Sequence, residues 1–276
     1  IRIGAFDDID LDIVHHTGDK DISVGSHSNN GFVSKVIRYK GLAAHAAGTP
    51  HLGVNALNAA SLGLSALAYQ RETFRDDDHV RIHPIITKGG NLVNVVPDEV
   101  VIETLVRAAN KDAIADAAAK TDRAFKAGAI AVGASCEITT MPGYLPALSE
   151  QTADAARATT KKYGLSADTH LYTGPGQVTC FNSYGSTDVG DVQHLQPVLT
   201  FNTGGKVSGL HSVDFDIVDD ELAYVVTAKI FALSAYRLLR DGAVKAKEIV
   251  ANYQPIFTKE EYIKYMDSFI KTETYQ

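Results

Sequence analysis

The sequence of 276 residues predicts an α/β protein in which a β-α-β-β-α-β segment, residues 31–141, interrupts a larger α/β domain. Within 31–141 the apolar pattern alternates between a two-residue and a 3.6-residue period, in the order strand, helix, two strands, helix, strand. The flanking parts, 1–30 and 142–276, combine short apolar strands, glycine-containing loops and a long helix. We therefore expect one inserted domain within a second, discontinuous one.

The inserted segment carries a separate signal for each of its elements. Strands are expected at 33–39, 80–87, 100–107 and 136–140, where β-branched and aromatic residues recur. A stripe of Leu57, Ala60, Leu64 and Leu67 predicts a helix ending near Arg71, and an alanine-rich stretch predicts a second helix over 113–131. A β-α-β-β-α-β unit of this length predicts a ferredoxin-like fold.

The flanking parts contain weaker signals. Ile13 and Val14 look like the end of a buried strand, and the following His15 and His16 lie where ligands collect in α/β sheets. Further expected elements are a helix over 149–163, a strand at 198–201, a helix over 219–240 and short helices on either side of Pro255. Adjacent histidines more often contact solvent than bind a metal, so the position of His15 and His16 does not by itself indicate a metal site.

Composition excludes several classes of partner. The net charge of −7 and the absence of a basic block argue against nucleic acid. The apolar runs are shorter than a membrane span, so no transmembrane helix and no membrane partner are expected. Cys136 and Cys180 form neither a metal-type pair nor a disulfide framework, which favours a reducing compartment and a cytoplasmic location. Because Ile1 is not an initiator methionine, we expect the chain to be the remainder of a longer protein.

The loop after the strand at 33–39 is the most informative stretch. It holds His45 among alanines and Gly48, and Pro50 and Gly53 close it before a helix. Small neighbours leave the imidazole uncrowded, which suits a group that meets a molecule arriving from outside. A single loop histidine is still more often a surface residue than a catalytic one.

The sequence around His45 favours the catalytic role, because it resembles the Gly-x-x-x-His-Ala…Pro segment of a known family. This is the family of metal-dependent aminoacylases and p-aminobenzoyl-glutamate hydrolases, the peptidase M20 type, in which a small lid domain carries the segment. The stretch from Phe6 to His16 is similar to the family's Phe-Asp-Asp-x-Asp…His-Pro. Residues 186–191 resemble its Ser-x-Asp-Phe/Val-Gly, and His211 in Leu-His-Ser matches its last metal ligand.

The resemblance implies a portion of a zinc-peptidase-like α/β catalytic domain, with 31–141 as the lid and dimerisation domain. It makes His16 and His211 metal ligands for Zn²⁺, with Mn²⁺ or Co²⁺ as substitutes. Thr17 stands where the family has proline, so His15 remains the alternative to His16.

The resemblance also implies roles for three lid residues. His45 and Asn94 correspond to donors to the transition state, and Arg107 to the clamp on the substrate's free carboxylate, a task suited to a planar guanidinium. Read without the resemblance, Asn94 is a turn residue and Arg107 a solvated charge at a strand end. In the family the lid histidine reaches the site of the partner chain, so a homodimer is expected.

Part of the family's catalytic set is missing from this sequence. It contains no His-x-Asp, no Cys-x-His and no glycine-rich Glu-Glu segment, while Glu260 and Glu261 lie at a helix start where acidic residues need no catalytic explanation. Two ligands are also too few for a catalytic zinc site. We therefore expect this chain alone to be inactive and the longer protein to hydrolyse an amide.

The expected substrate is an N-acyl amino acid, a p-aminobenzoyl-glutamate-type compound or a dipeptide, each with a free carboxylate. Two alternatives belong to other classes. One is a non-catalytic dimerisation or amino-acid-binding module derived from such an enzyme. The other is an unrelated ferredoxin-like regulatory domain fused to an α/β domain, which predicts no metal near His16 and His211.

Overall fold

The computed structural model describes residues 1–18, 22–24, 27–147, 181–182, 185–209 and 211–276. The helix expected over 149–163 and Cys180 lie outside the described residues. The chain forms two compact units. The α/β unit comprises Ile1–Ser28, Ala147–Ser183 and Asp188–Tyr262, and the lid unit comprises Asn29–Pro146, Tyr184–Thr187 and Ile263–Gln276.

The described elements alternate between strands and helices along the chain. In chain order they are β1 (Asp12–Thr17), β2 (Ile22–Val24), β3 (His27–Ser28), β4 (Gly31–Lys40), α1 (Ala56–Tyr69), β5 (Arg81–Ile82), β6 (Ile85–Lys88), β7 (Glu99–Ala108), α2 (Lys111–Val132), β8 (Ser135–Pro142), β9 (Phe181–Asn182), α3 (Val189–Gln193), β10 (Val198–Thr203), β11 (Lys206–Val207), β12 (Asp216–Ile217), α4 (Thr227–Asn252), α5 (Lys259–Asp267) and β13 (Lys271–Tyr275).

The lid unit has the predicted ferredoxin-like arrangement. Its antiparallel sheet has the order β13-β8-β4-β7-β5, and β6 also pairs with β7. The helices α1 and α2 are the crossovers of two interleaved split β-α-β units, β4-α1-β6 and β7-α2-β8. At the centre, β4 and β7 pair over ten consecutive residues, from Gly31 opposite Ala108 to Lys40 opposite Glu99.

One face of this sheet packs on the helices and the other is open. On β4 the buried residues are the alternate ones, Val33, Lys35, Ile37 and Tyr39, as a two-residue period requires. The corresponding residues of β7 and β8 join them under the helices. The residues between them, such as Arg107 on β7, lie on the opposite, open face.

The two helices approach each other closely because small residues line their contact. A Cβ added to Gly128 of α2 would lie 2.3 Å from the carbonyl oxygen of Ala59 on α1. A Cβ at Gly63 would lie 2.3 Å from the hydroxyl of Tyr39, which donates a 2.7 Å hydrogen bond to the carbonyl of Phe125. The sheet and both helices are therefore joined at one point.

A buried charge pair links the sheet to α2. Lys35 is 1% exposed, and its Nζ lies 2.7 Å from Asp122 Oδ1 and donates a 2.8 Å hydrogen bond to Thr140 Oγ1. Burial lowers the pKa of the Lys35 ammonium, and the Asp122 carboxylate opposes that shift.

The structure corrects two details of the lid prediction. The strand expected over 80–87 is divided into β5 and β6, because Pro84 lies between them and has no N–H for the ladder. The sequence predicts a tail of short helices that continues the α/β domain. Instead the tail ends in β13, which pairs with β8 from Lys271–Thr140 to Tyr275–Cys136 and groups with the lid unit.

The α/β unit contains a three-stranded sheet of order β1-β10-β2, in which β1 and β10 are parallel. The strands β3 and β9 form a short parallel pair, and β11 and β12 an antiparallel one. The helix expected over 219–240 begins as a π-helix, Glu221–Val226, and continues into α4. Non-helical dihedral angles interrupt α4 at 240–243.

Among the described helices, the stretch Glu221–Asn252 is the one that is long and apolar enough to cross a membrane. Only 11% of its most apolar 18-residue window is buried, and non-helical dihedral angles interrupt the helix at 240–243. One helix of this length and composition does not by itself indicate a membrane span.

The buried pair gives a test of how the lid is held together. Lys35→Met leaves the Asp122 carboxylate in the core with Lys271 Nζ 3.9 Å away, and should lower the free energy of unfolding by about 3–5 kcal/mol. Lys35→Met combined with Asp122→Leu should regain most of that loss, because it removes both charges. Urea unfolding of the single and double variants measures this.

The matched control is Lys229→Met, which removes a pair with Glu221 whose side chains are 63% and 65% exposed. It should change the unfolding free energy by less than about 1 kcal/mol. An equally small effect of Lys35→Met would show that the buried pair does not stabilise the fold.

Candidate active site

Two loops of the lid place His45 and Asn94 side by side. The loop after β4 pairs with the loop before β7 through an antiparallel bridge between His45 and Val95. The Ala46 N–H donates a 3.0 Å hydrogen bond to the carbonyl of Asn94, and the Val96 N–H a 2.9 Å bond to that of Ala44. Both His45 and Asn94 are accessible at the surface, so each side chain is open to a molecule arriving from outside.

The His45 ring is held by its own loop. Its Nδ1 accepts a 2.9 Å hydrogen bond from the Gly48 N–H and a 3.3 Å bond from the Ala47 N–H. An Nδ1 that accepts carries no proton, so the neutral ring has its proton on Nε2. The small residues of the loop thus orient the imidazole with an outward N–H donor.

Arg107 lies near the end of β7 on the open face of the lid sheet. Its guanidinium donates a 3.1 Å hydrogen bond from Nη1 to Ser186 Oγ and lies 5.7 Å from the centroid of the Phe32 ring, its neighbour on β4. Within the described residues it contacts no carboxylate. Arg38 on β4 is by contrast paired with Glu99, and its Nε lies 3.9 Å from Glu137.

The register of the sheet separates Arg107 from the His45 loop. Arg107 and Glu99 are eight residues apart on β7, which corresponds to about 26 Å at about 3.3 Å per residue. The two paired loops with His45 and Asn94 continue beyond the Glu99 end. A small amide substrate cannot span that distance, so one lid cannot present all three side chains to one molecule.

His15 and His16 point to opposite faces of β1. His15 packs 5.0 Å from the ring of Phe201 and 6.2 Å from that of Phe231, with Nε2 2.7 Å from Thr203 Oγ1. Burial, and secondarily the neighbouring His16, lower its pKa. His16 is exposed on the other face, so of the two it is the ring that is open to a ligand.

His211 lies in the loop between β11 and β12, in the same unit as His16. It is exposed and has a positive φ of 66°, a backbone conformation uncommon for a residue other than glycine. Strained backbone of this kind clusters at functional sites, although it does not identify a role. The metal-ligand roles of His16 and His211 stay predictions.

The described residues do not complete a metal site. No group of three or more His, Cys, Asp or Glu side chains among them is placed to hold an ion. A catalytic zinc needs three protein ligands, so the residues described here do not by themselves fit one.

Of the pair Glu260 and Glu261, Glu261 has a structural role. Glu261 Oε2 accepts hydrogen bonds from the N–H and the hydroxyl of Thr258, and the Glu261 N–H donates to Thr258 Oγ1, which forms a capping box at the start of α5. The bonds from Thr258 lower the pKa of Glu261. The carboxylate that a general base would use is thus engaged at a helix terminus.

The sequence did not indicate the contacts that hold Arg107. Phe32 is its direct cross-strand neighbour, which a correct register between 33–39 and 100–107 would have revealed. Ser186 is 79 residues away in sequence, and no local pattern signals that hydrogen bond.

Comparison with known proteins agrees with this fold. Residues 27–131 match the family model of the peptidase dimerisation domain. A dinuclear metal-binding peptidase of the M20 family from Bacillus subtilis shares the fold with a TM-score of 0.58, at 20% identity over 92% of this chain and 60% of that one. Residues 27–131 are thus similar to a peptidase dimerisation domain, and the chain shares the fold of M20 peptidases.

Two similar proteins carry names that specify an enzymatic activity. An Xaa-Arg dipeptidase from Mus musculus is 28% identical over 205 residues, which are 71% of this chain and 44% of the relative. One of the subunits of the p-aminobenzoyl-glutamate hydrolase from Escherichia coli is 32% identical over 111 residues, 39% of this chain and 22% of the relative. The chain thus matches less than half the length of either relative, and both names denote hydrolases.

The orientation of His45 can be measured directly. At about pH 8, where an ordinary histidine is neutral, long-range ¹H–¹⁵N spectra should show His45 with its proton on Nε2. His45→Gln assigns the signal. Gly48→Pro removes the stronger N–H donor and should populate the other tautomer, whereas Gly48→Ala retains the N–H and should not. A wild-type ring protonated mainly on Nδ1 would contradict the hydrogen bonds described.

Proposed function

We propose that this protein hydrolyses the amide bond of a small substrate with a free carboxylate: an N-acyl amino acid, a p-aminobenzoyl-glutamate-type compound or a dipeptide. The observation that carries the proposal is Arg107, a guanidinium on the open lid face whose described contacts are a hydroxyl and an aromatic ring. Such a group still has N–H donors available for a carboxylate, which it binds through two parallel hydrogen bonds.

His45 and Asn94 would act on the scissile carbonyl. An Nε2–H on His45 and the amide N–H₂ of Asn94 are neutral donors that bind an oxygen more strongly as negative charge develops on it. The loop hydrogen bonds hold the imidazole in place before the reaction, so little reorganisation is needed. The proposed activity belongs to the protein as a whole, since no three potential metal ligands lie together among the described residues.

Metal dependence is part of the proposal. Zn²⁺, or Mn²⁺ or Co²⁺ in its place, would polarise the carbonyl and activate water. The support is the fold shared with a dinuclear metal-binding peptidase. His16 and His211 are the proposed contributions of this chain, and further ligands would have to come from outside the described residues.

The proposed homodimer is supported by the separation of about 26 Å between Arg107 and the far end of β7. If Arg107 holds the carboxylate, the donors at the carbonyl must come from a second copy. The lid sheet has one edge at which a second copy could pair. The strand β13 covers the edge formed by β8, whereas β6 at the other edge leaves Ile85 61% exposed and Ile86 42% exposed. We propose that a second copy pairs at this edge.

The alternative function is a non-catalytic dimerisation or amino-acid-binding module. The lack of a three-ligand cluster among the described residues favours it. Turnover of an N-acyl amino acid by the full-length protein, lost on metal chelation and restored by Zn²⁺, would exclude it.

Arg107→Lys tests the carboxylate clamp. Lysine keeps the charge but loses the two-pronged geometry, so the variant of the full-length protein should show a KM for carboxylate substrates raised by about tenfold or more. Analogues with the carboxylate capped as an amide should change little. Equal losses on both substrates in steady-state kinetics would make Arg107 a structural residue.

Mixed dimers test whether His45 acts across subunits. One subunit carries His45→Ala and the other Arg107→Ala, and two different affinity tags allow the mixed dimer to be purified. Each homodimeric variant should lose activity, with His45→Ala losing about 10²–10³ in kcat. In the mixed dimer, the intact Arg107 of one subunit and the intact His45 of the other meet at one site, so about half of the wild-type activity should return.

The control is a dimer of two differently tagged His45→Ala subunits, which should stay inactive. A mixed dimer that also stays inactive would mean that His45 and Arg107 of one chain serve the same site. That result would overturn the homodimer as a catalytic requirement.

A further inference from the structure

The lid unit contains a cavity of about 500 Å³ between α1 and β5. Its walls are the C-terminal half of α1, the segment 70–80 and the short strand β5 with the two residues after it. Pockets that bind small molecules have volumes of about 300–1,000 Å³. The cavity is thus large enough for a small organic ligand, and none of the residues in the proposed function lines it.

The inner wall of the cavity is apolar. Leu67 is 7% exposed, and Leu64, Phe74 and Ile82 are half-buried beside it. Ile82 packs against both buried apolar clusters under the lid helices, so the cavity reaches the place where the two clusters meet. A hydrocarbon group bound against this wall would be removed from water, which favours binding for each CH₂ buried.

The outer part of the cavity is cationic. Arg71 and Arg75 are exposed, and neither guanidinium forms an ion pair with a carboxylate in the part of the chain that the structure describes. Arg81 also lines the cavity, as does one carboxylate, that of Asp76. The arginines outnumber this carboxylate although the whole protein has a net charge of −7, so the cavity differs in sign from the protein around it.

The segment that carries the two arginines is fixed by contacts from other elements. Lys120 of α2 donates a 2.8 Å hydrogen bond to the Thr73 carbonyl, and its ammonium lies 5.0 Å from the centroid of the Phe74 ring. The buried Asn30 donates a 2.9 Å hydrogen bond to the His79 carbonyl. The wall is therefore held on both sides of the arginines, so a ligand pays little to order it.

We propose that this cavity binds a small amphipathic carboxylate, whose hydrocarbon part lies against Leu67 and Ile82 and whose carboxylate is bound by Arg71 and Arg75. A guanidinium binds a carboxylate through two parallel hydrogen bonds. An inorganic anion would leave the apolar wall unused, and a neutral hydrocarbon would leave both cations without a counter-charge. The site is independent of the proposed function, because it lies on the helix side of the lid sheet, whereas Arg107 lies on the open side.

Calorimetric titration of the full-length protein with octanoate tests the site. Butyrate keeps the carboxylate and shortens the hydrocarbon chain, while 1-octanol keeps the chain and removes the charge. Octanoate should bind at least about tenfold more tightly than either compound, because each of them lacks one half of the recognition. Inorganic phosphate, which has charge and no apolar part, should bind no more tightly than butyrate.

Variants locate the binding site. Arg71→Gln combined with Arg75→Gln removes both charges and should weaken octanoate binding by about tenfold to a hundredfold. Ala68→Phe fills the cavity from an exposed position of α1 and should also weaken binding, without a change of charge. Arg123→Gln is the matched control, since Arg123 is an exposed arginine of α2 that does not line the cavity, and it should leave the Kd unchanged. Circular dichroism checks that each variant is folded.

Arg107→Lys separates the cavity from the proposed substrate clamp. Octanoate binding that falls in this variant and is unchanged by the Arg71 and Arg75 substitutions would place the ligand at the clamp and overturn the cavity site. A wild type that does not bind octanoate, or that binds 1-octanol or phosphate equally well, also overturns it. Binding that requires Arg71 and Arg75, in a protein that hydrolyses no amide, supports the cavity site and overturns only the proposed function.

Discussion

The ten-residue pairing of β4 with β7 is the constraint on which the lid depends. It determines which residues face the helices and which face outward, because a shift of one position would exchange the two sets. It also places Arg107 near one end of the sheet and leads into the His45 and Asn94 loops at the other. The length of this ladder therefore separates Arg107, the proposed substrate clamp, from His45 and Asn94, the proposed carbonyl donors.

That separation is the basis of the proposed homodimer. With the proposed functional groups at its two ends, one lid cannot serve one small substrate, whereas under the proposal two copies would each contribute one end. The rigidity has a visible basis, since Gly63 and Gly128 let α1 and α2 approach closely and Tyr39 joins them to the sheet. The strand β13 adds to this by covering one sheet edge, which leaves the opposite edge for a partner.

The two faces of the lid sheet treat a cationic side chain differently. Lys35 shows that a charge under the helices must be matched within the fold, by Asp122 and Thr140. Arg107, on the other face, has a hydroxyl and an aromatic ring as its described contacts. A cationic side chain on the covered face thus needs a charged partner within the fold, whereas one on the open face does not.

The local pattern was enough to predict the ferredoxin-like lid and most of its strands and helices, since periodicity depends on near neighbours in the chain. The candidates His45, Asn94 and Arg107 came instead from the resemblance of short motifs to a known family. The division of the strand at Pro84, the pairing of β13 with β8 and the contact of Arg107 with Ser186 became visible only in the folded sheet. Register and long-range contacts are decided by the packing of the whole sheet, which no local pattern encodes.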